Sequence, residues 1–256
     1  MNILVCIKRV PATSSKITLT PDAQAIDTKY LGFTISPHEE CAVEEAVRLI
    51  EAQGGSSTVL TLGADAAIEQ LRDAMSIGVD NAILLETDGR EWDPAATAAA
   101  IVAVARARQA AGSPFDLLLL GNEAADSGDY QVGVRVAYAL DWPCVTGLKD
   151  IQLANGQVHA TREASGGRET LSVSLPAVLT VKEGLNLPRY PSLPGRLKAK
   201  KKPLERLTPQ WQAPGLAKLR LKLPSEKEHQ VEILGRGPEA APKAVELLQK
   251  LGVIPR

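Results

Sequence analysis

Between residues 2 and 140, short apolar runs alternate with amphipathic stretches, and this alternation limits the folds open to the chain. NILVCI (2–7), STVLTLG (57–63), NAILLE (81–86) and DLLLLG (116–121) are each bounded by Gly, Asp or charge. An apolar run of that length without polar alternation is expected of a strand covered on both faces. Between the runs lie helical patterns. Ser36-Pro37-His38-Glu39 carries a capping serine, a first-turn proline and a Glu that completes a capping box. The helix it opens places Val43, Val47 and Ile50 on one face and stops at Gly54-Gly55. Further helices are expected over 64–77, from Asp93-Pro94 to about Ala111, and over 131–140. Strands and helices in strict alternation predict an α/β fold with a doubly wound, mainly parallel sheet.

After Trp142 the period changes. Residues 150–175 show period-two stretches around Asn155-Gly156 and Gly166-Gly167, the pattern of antiparallel hairpins. PAVLTV (176–181) returns to a strand. Residues 188–224 are proline-rich and basic and read as an extended arm. Residues 238–252 form a last amphipathic helix with Val245, Leu248 and Leu251 as its core stripe. The expected division is an α/β domain over 1–205 and a C-terminal arm with the final helix over 206–256.

The 256 residues suffice for a core without disulfide or metal staples. Cys6, Cys41 and Cys144 lack CxxC spacing and read as reduced thiols of a cytoplasmic protein. The chain opens directly on a strand-like run, without the regions of a signal peptide, and no apolar run is long enough to insert in a membrane. The net charge of −1 hides an asymmetry: residues 189–206 carry +6 and the remainder −7. A basic run can mark nucleic-acid binding, but the rest of the chain is acidic and holds only three Trp, four Tyr and two Phe. His38, His159 and His229 are far apart, and no GxSxG, HExxH or Walker phosphate loop is present. No catalytic or metal-binding constellation emerges. Cys6 reads as a core thiol.

The loops after the strands are more informative, because ligands of open parallel sheets bind beyond the carboxyl ends of the strands near the switch in strand order. Three such loops stand out: Lys8-Arg9, Gly63-Ala64-Asp65 and GNEAADSGDYQVG at 121–133. The last places small and polar residues directly before a helix, whose free N–H groups and positive dipole end suit a phosphate. Asp126, Ser127, Asp129 and Gln131 can also bond ribose hydroxyls or base edges.

Five stretches together resemble the β subunit of the electron transfer flavoprotein family. They are ILVCIKRV, SPHEECAVEEAVRL, LRDAMSIGVDNAILL, the 121–133 loop and LPAVLTVKEGLNLPRYPSLPGRLKAKKKPL, and they span nearly the whole chain. The resemblance implies an adenine-nucleotide α-hydrolase-like core and a C-terminal arm that embraces an α subunit holding most of a redox-active FAD. It also implies AMP in the β-subunit cleft, or a second FAD in electron-bifurcating members. The role implied is that of an electron carrier rather than an enzyme.

By the same resemblance, nucleotide contacts fall on Cys6 with Ile7 and Lys8, on Asp126 and on Gln131. The strand-end loops add Gly63, Ser127, Gly128, Asp129, Tyr130 and Val132 as candidates. Many members carry a run of acids and an Asn where this chain has Ser127 to Tyr130. Ser36 stands where Asn is frequent, His38 where an aromatic often approaches the flavin of α, and Thr13 where Tyr is frequent. Arg189 matches a residue near the flavin, where a cation would favour the reduced, anionic form. A recognition loop at about 184–198 docks flavin dehydrogenases, with Leu193-Pro194 as anchor beside Tyr190, Lys198, Lys200 and Lys201. The rival reading from the residues alone is a stress-protein-like nucleotide-binding module, which leaves the block at 189–204 without a role.

Overall fold

The structure is a computed structural model that describes residues 1–12, 16–215, 218–224 and 232–255. Thr13 and His229 lie outside the described residues. By compactness these residues divide into one unit over Met1–Leu221 and a second over Lys222–Arg256. Residues 206–221 therefore belong with the first unit.

The first unit is built on one nine-stranded sheet. Its elements run β1 (Asn2–Ile7), β2 (Val10–Pro11), β3 (Phe33–Thr34), α1 (Pro37–Gln53), β4 (Ser56–Gly63), α2 (Ile68–Ile77) and β5 (Asn81–Glu86). They continue with α3 (Pro94–Ala110), β6 (Leu117–Gly121), α4 (Val132–Leu140), β7 (Cys144–Ala154), β8 (Gln157–Ala164), β9 (Gly167–Ser174) and β10 (Ala177–Val181). The last two are α5 (Leu193–Ala199) and β11 (Leu204–Leu207). The strand order is β11-β5-β4-β1-β6-β10-β7-β8-β9, and β2 pairs with β3 in a small antiparallel sheet. From β11 to β7 every pairing is parallel, whereas β8 and β9 add on antiparallel. The expected hairpins thus prolong the main sheet.

Alternation along the central strands builds two cores. Ile3, Val5 and Ile7 of β1, with Leu117, Leu119 and Leu179, face Cys41, Val43, Val47, Leu71 and Met75 of α1 and α2. Leu4, Cys6, Leu118, Leu120 and Val178 face Ala98, Ile101, Ala105 and Val136 of α3 and α4. With both faces covered, the strands have no polar positions to alternate, which is why the sequence shows continuous apolar runs. Helix α1 starts as its capping box dictates: the Glu39 N–H donates to Ser36 Oγ at 3.3 Å, and Glu39 Oε2 accepts from the Ser36 N–H at 3.0 Å.

Two sequence expectations need correction. Residues 188–224 are not uniformly extended. Pro191 and Pro194 suggest extension, yet proline suits a helix's first turn. Ser192 caps α5, its Oγ accepting from the Gly195 N–H at 3.1 Å, and Leu193 is the first helical residue. β11 then joins the sheet edge beside β5. In the second unit, α6 (Ala241–Lys250) forms as expected, but Val245, Leu248 and Leu251 are exposed rather than core. That unit is too small to lay a second layer over them. Among the described residues, no helix is long and apolar enough to cross a membrane.

Candidate functional site

The chain leaves β1 toward β4 on one side and returns to β6 on the other, so the switch point of the sheet lies between β1 and β6. A cleft of about 1740 Å³ opens there, larger than the roughly 300–1,000 Å³ usual for a small-ligand pocket. Cys6, Ile7 and Lys8 line it from the end of β1, Gly63 from β4, and Thr87 from just beyond β5. The β6–α4 loop and the first turn of α4 form the facing wall.

Close backbone approach builds that wall. A Cβ on Gly121 would sit 2.8 Å from Glu39 Cγ, and one on Gly133 would sit 2.5 Å from Thr180 Cγ2. Glycine at both places lets α1 and α4 close on the strand ends. Gly128 (φ 59°) and Tyr130 (φ 56°) turn the loop through the left-handed region, which a tyrosine rarely adopts and which marks a constrained site. Gln131 precedes α4 without capping it, because its Oε1 accepts from Arg135 Nε and Nη2 at 3.1 and 2.8 Å. The first turn of α4 therefore keeps main-chain N–H groups for a ligand that faces the cleft.

Charge is placed opposite. Lys8 Nζ donates to Asp126 Oδ1 at 2.9 Å and lies 2.8 Å from Oδ2, joining the end of β1 to the loop. The Ser127 N–H donates to Asp126 Oδ1 at 2.8 Å. Below them Glu39 is buried, its Oε1 accepting from the Lys8 N–H at 2.9 Å. Burial pushes its carboxyl up to about 8 even though two main-chain N–H groups favour the charged form. Burial likewise pushes the Cys6 thiol far up, so it is an inert wall residue. Residues Gln212–Gly215 and Lys218 close the far side. The Gly215 N–H donates to Asp93 Oδ2 at 3.0 Å, and Trp211, outside the lining, holds the segment by stacking its ring 4.7 Å from Arg90.

The cleft brings together Cys6, Lys8, Gly63, Asp126, Ser127, Asp129, Tyr130, Gln131 and Val132. Gly128 turns the same loop without lining the cleft. Ser36 and His38 sit behind the wall. Ser36 Oγ donates to the Glu123 carbonyl at 3.2 Å, and His38 Nε2 stands 4.0 Å from Glu123 Oε1. Burial holds the His38 ring below the usual histidine range, against the pull of Glu123. Arg189 lies outside the lining, against α1, where it meets Glu44 and Glu51. Sequence reasoning missed Glu39 as a wall residue and the closing segment around Trp211. The first was visible only as a capping glutamate. The second comes from far along the chain, with no local motif.

The β1, β4 and β6 ends, the glycine-built wall and the uncapped helix form a cleft at the switch point of an open parallel sheet, where ligands of such sheets bind. The electron transfer flavoprotein domain family matches residues 25–210, well over half the chain. The chain belongs to the electron transfer flavoprotein family. It is 36% identical over 258 residues to the electron transfer flavoprotein subunit beta of Bacillus subtilis (strain 168), covering 97% of this chain and 98% of that protein. It is 38% identical over 208 residues to the electron transfer flavoprotein subunit beta of Mus musculus, covering 80% of each. The subunit beta of Syntrophomonas wolfei is 37% identical over 205 residues, or 80% of this chain and 78% of that one. Membership in this family supports a role in flavin-linked electron transfer.

Proposed function

We propose that this chain is the β subunit of a heterodimeric electron transfer flavoprotein, a carrier subunit that holds AMP in the switch-point cleft and partners an α subunit carrying most of the FAD. The observation that carries the reading is the uncapped start of α4, which opens into the cleft opposite Lys8. Main-chain N–H groups of Val132 and Gly133, with Gln131, would hold the phosphate. Asp126, Ser127 and Asp129 would meet ribose hydroxyls, and Cys6 to Lys8 would line the adenosine. The FAD supplies the electron-accepting and electron-donating chemistry. This chain supplies position and one wall of the site, and its segment around Leu193 docks the dehydrogenases that deliver electrons. In support, Leu193, the first residue of a capped helix, is exposed and not part of either core.

Co-expression with the α subunit, followed by denaturation and chromatography of the released nucleotides, tests the assignment. AMP and FAD in equal amounts are expected. Two FAD and no AMP would make the chain a bifurcating subunit, and release of neither nucleotide would overturn the reading.

A further inference from the structure

The segment that carries the exposed Leu193 is held down at many points, and the pins alternate with exposed apolar side chains. Asn186 Nδ2 donates to the Cys41 carbonyl at 3.0 Å and to Glu45 Oε2 at 2.9 Å on α1. Leu187 then stands 90% exposed. Arg189 follows with the densest set of contacts. Its main-chain N–H donates to Glu44 Oε2 at 3.1 Å, and its Nε and Nη2 reach the same carboxylate at 3.0 Å each. Its Nη1 and Nη2 reach Glu51 at 2.6 and 2.9 Å. Tyr190 is next, 96% exposed, and Leu193 is 73% exposed.

The energetics single out Glu44. Glu51 is surface-exposed, and a solvated pair of this kind contributes little. Glu44 is buried, and Arg189 is the only cation that pairs with it among the described residues. A buried carboxylate without its cation is costly, so Glu44 and Arg189 hold each other strongly. The planar guanidinium reaches two carboxylates at once and the loop's main chain binds one of them, a geometry that lysine cannot copy. A docking loop ordered beforehand loses less entropy when a partner binds.

We propose that Arg189, through Glu44, is a positioning residue for partner docking: the pair fixes residues 186–192 on α1 so that Leu187, Tyr190 and Leu193 meet an apolar pocket of a dehydrogenase as one preformed ridge. The proposal rests on the reading of the Leu193 segment given above. It assigns Arg189 to the ridge and not to the flavin.

The test uses the purified heterodimer, with Arg189→Gln, Arg189→Lys, Glu51→Gln and Leu193→Ala compared with the parent. Amide hydrogen exchange over 186–192 is measured together with KM and kcat for reduction by a flavin dehydrogenase that reduces the parent heterodimer, and with the flavin potential. Both Arg189 variants should exchange faster over 186–192 by about tenfold or more, as expected for loss of charged hydrogen bonds. Both should raise KM several-fold and leave kcat and the flavin potential unmoved. Glu51→Gln should change little. Faster exchange with an unchanged KM would overturn the proposal. So would a shifted flavin potential in Arg189→Gln that Arg189→Lys restores, because Arg189 would then act on the flavin. If Leu193→Ala itself leaves KM unchanged, the docking reading of the segment fails, and the positioning role fails with it. If Leu193→Ala raises KM and the Arg189 variants do not, only the positioning role fails.

Discussion

Glu39 shows how one side chain serves two elements. As the third residue of α1 it completes the capping box, and its other oxygen holds the Lys8 N–H at the mouth of the cleft. Burial raises its pKa from 4.5 to about 8. Below 4.5 the group is neutral whether the chain is folded or not. Between 4.5 and about 8 the folded state keeps a proton that the unfolded chain has lost, so this group's contribution to stability falls as pH rises. Glu39→Gln removes that dependence. It also replaces one acceptor with an amide NH₂ facing an N–H donor, at a cost of about 1–3 kcal/mol. The parent's advantage should therefore be largest at low pH, fall as pH rises from 4.5, and turn into a disadvantage before about pH 8. Urea midpoints from roughly pH 5 to pH 9 check this. A difference independent of pH would mean that the carboxyl titrates normally. Sequence reading reached the cap, because a Ser-x-x-Glu spacing is local. It could not reach the second bond, because Lys8 and Glu39 meet only once β1 and α1 have packed.

The same contrast separates the elements that could be foreseen from those that could not. Strands β1, β5 and β6 declare themselves because burial on both faces leaves each an unbroken apolar run, and β4 is broken only by Thr61 between Leu60 and Leu62. Helix α5 and strand β11 do not. In α5 the prolines mask a helix start, and its seven residues expose Leu193 and Leu197 instead of forming an inward stripe. β11 has only four residues, and its partner β5 lies far back in the chain. What holds α5 is main-chain proximity. A Cβ on Gly195 would lie 2.3 Å from the Ser76 carbonyl oxygen in α2, and Arg72 Nη1 donates to the Ala199 and Lys202 carbonyls at 2.6 and 2.9 Å. Backbone cannot yield as a flexible side chain does. Gly195→Ala should therefore cost about 1–3 kcal/mol, read as a lowered thermal midpoint. It should leave the nucleotide content of the heterodimer unchanged, because α5 does not line the cleft. An unchanged midpoint would show that α5 can lift away from α2 without cost.

At the scale of the molecule, the basic cluster of 189–206 is smaller in effect than its composition suggests. Arg189 and Arg206 are paired with carboxylates, and Lys202 Nζ donates to the Met75, Gly78 and Val79 carbonyls at the end of α2. Among the described residues, Lys198, Lys200 and Lys201 make no side-chain hydrogen bond or ion pair, and all three are exposed. They are the charges left to steer a partner. Replacing the three with Gln should lower the association rate with an acidic dehydrogenase and flatten its dependence on ionic strength, with little change in dissociation. Stopped-flow rates at low and moderate salt check this, and an unaltered salt slope would remove the lysines from the encounter.

The segment from Lys182 to Pro203 begins at the end of β10 and finishes at the start of β11, two strands of one sheet with β6, β1, β4 and β5 between them. It crosses on the side of α1 and α2, and no residue of it lines the cleft. Like a strap buckled at both ends, it is tied to α1 through Asn186 and Arg189 and to α2 through Ala199 and Lys202. An insertion or deletion between those pins would pull one of them out of register, so the spacing from 186 to 202 is expected to vary little among relatives. Its outward side chains are under no such restraint. Leu187, Tyr190, Leu193 and the three lysines face outward without pinning the strap, so they can be exchanged without loosening it.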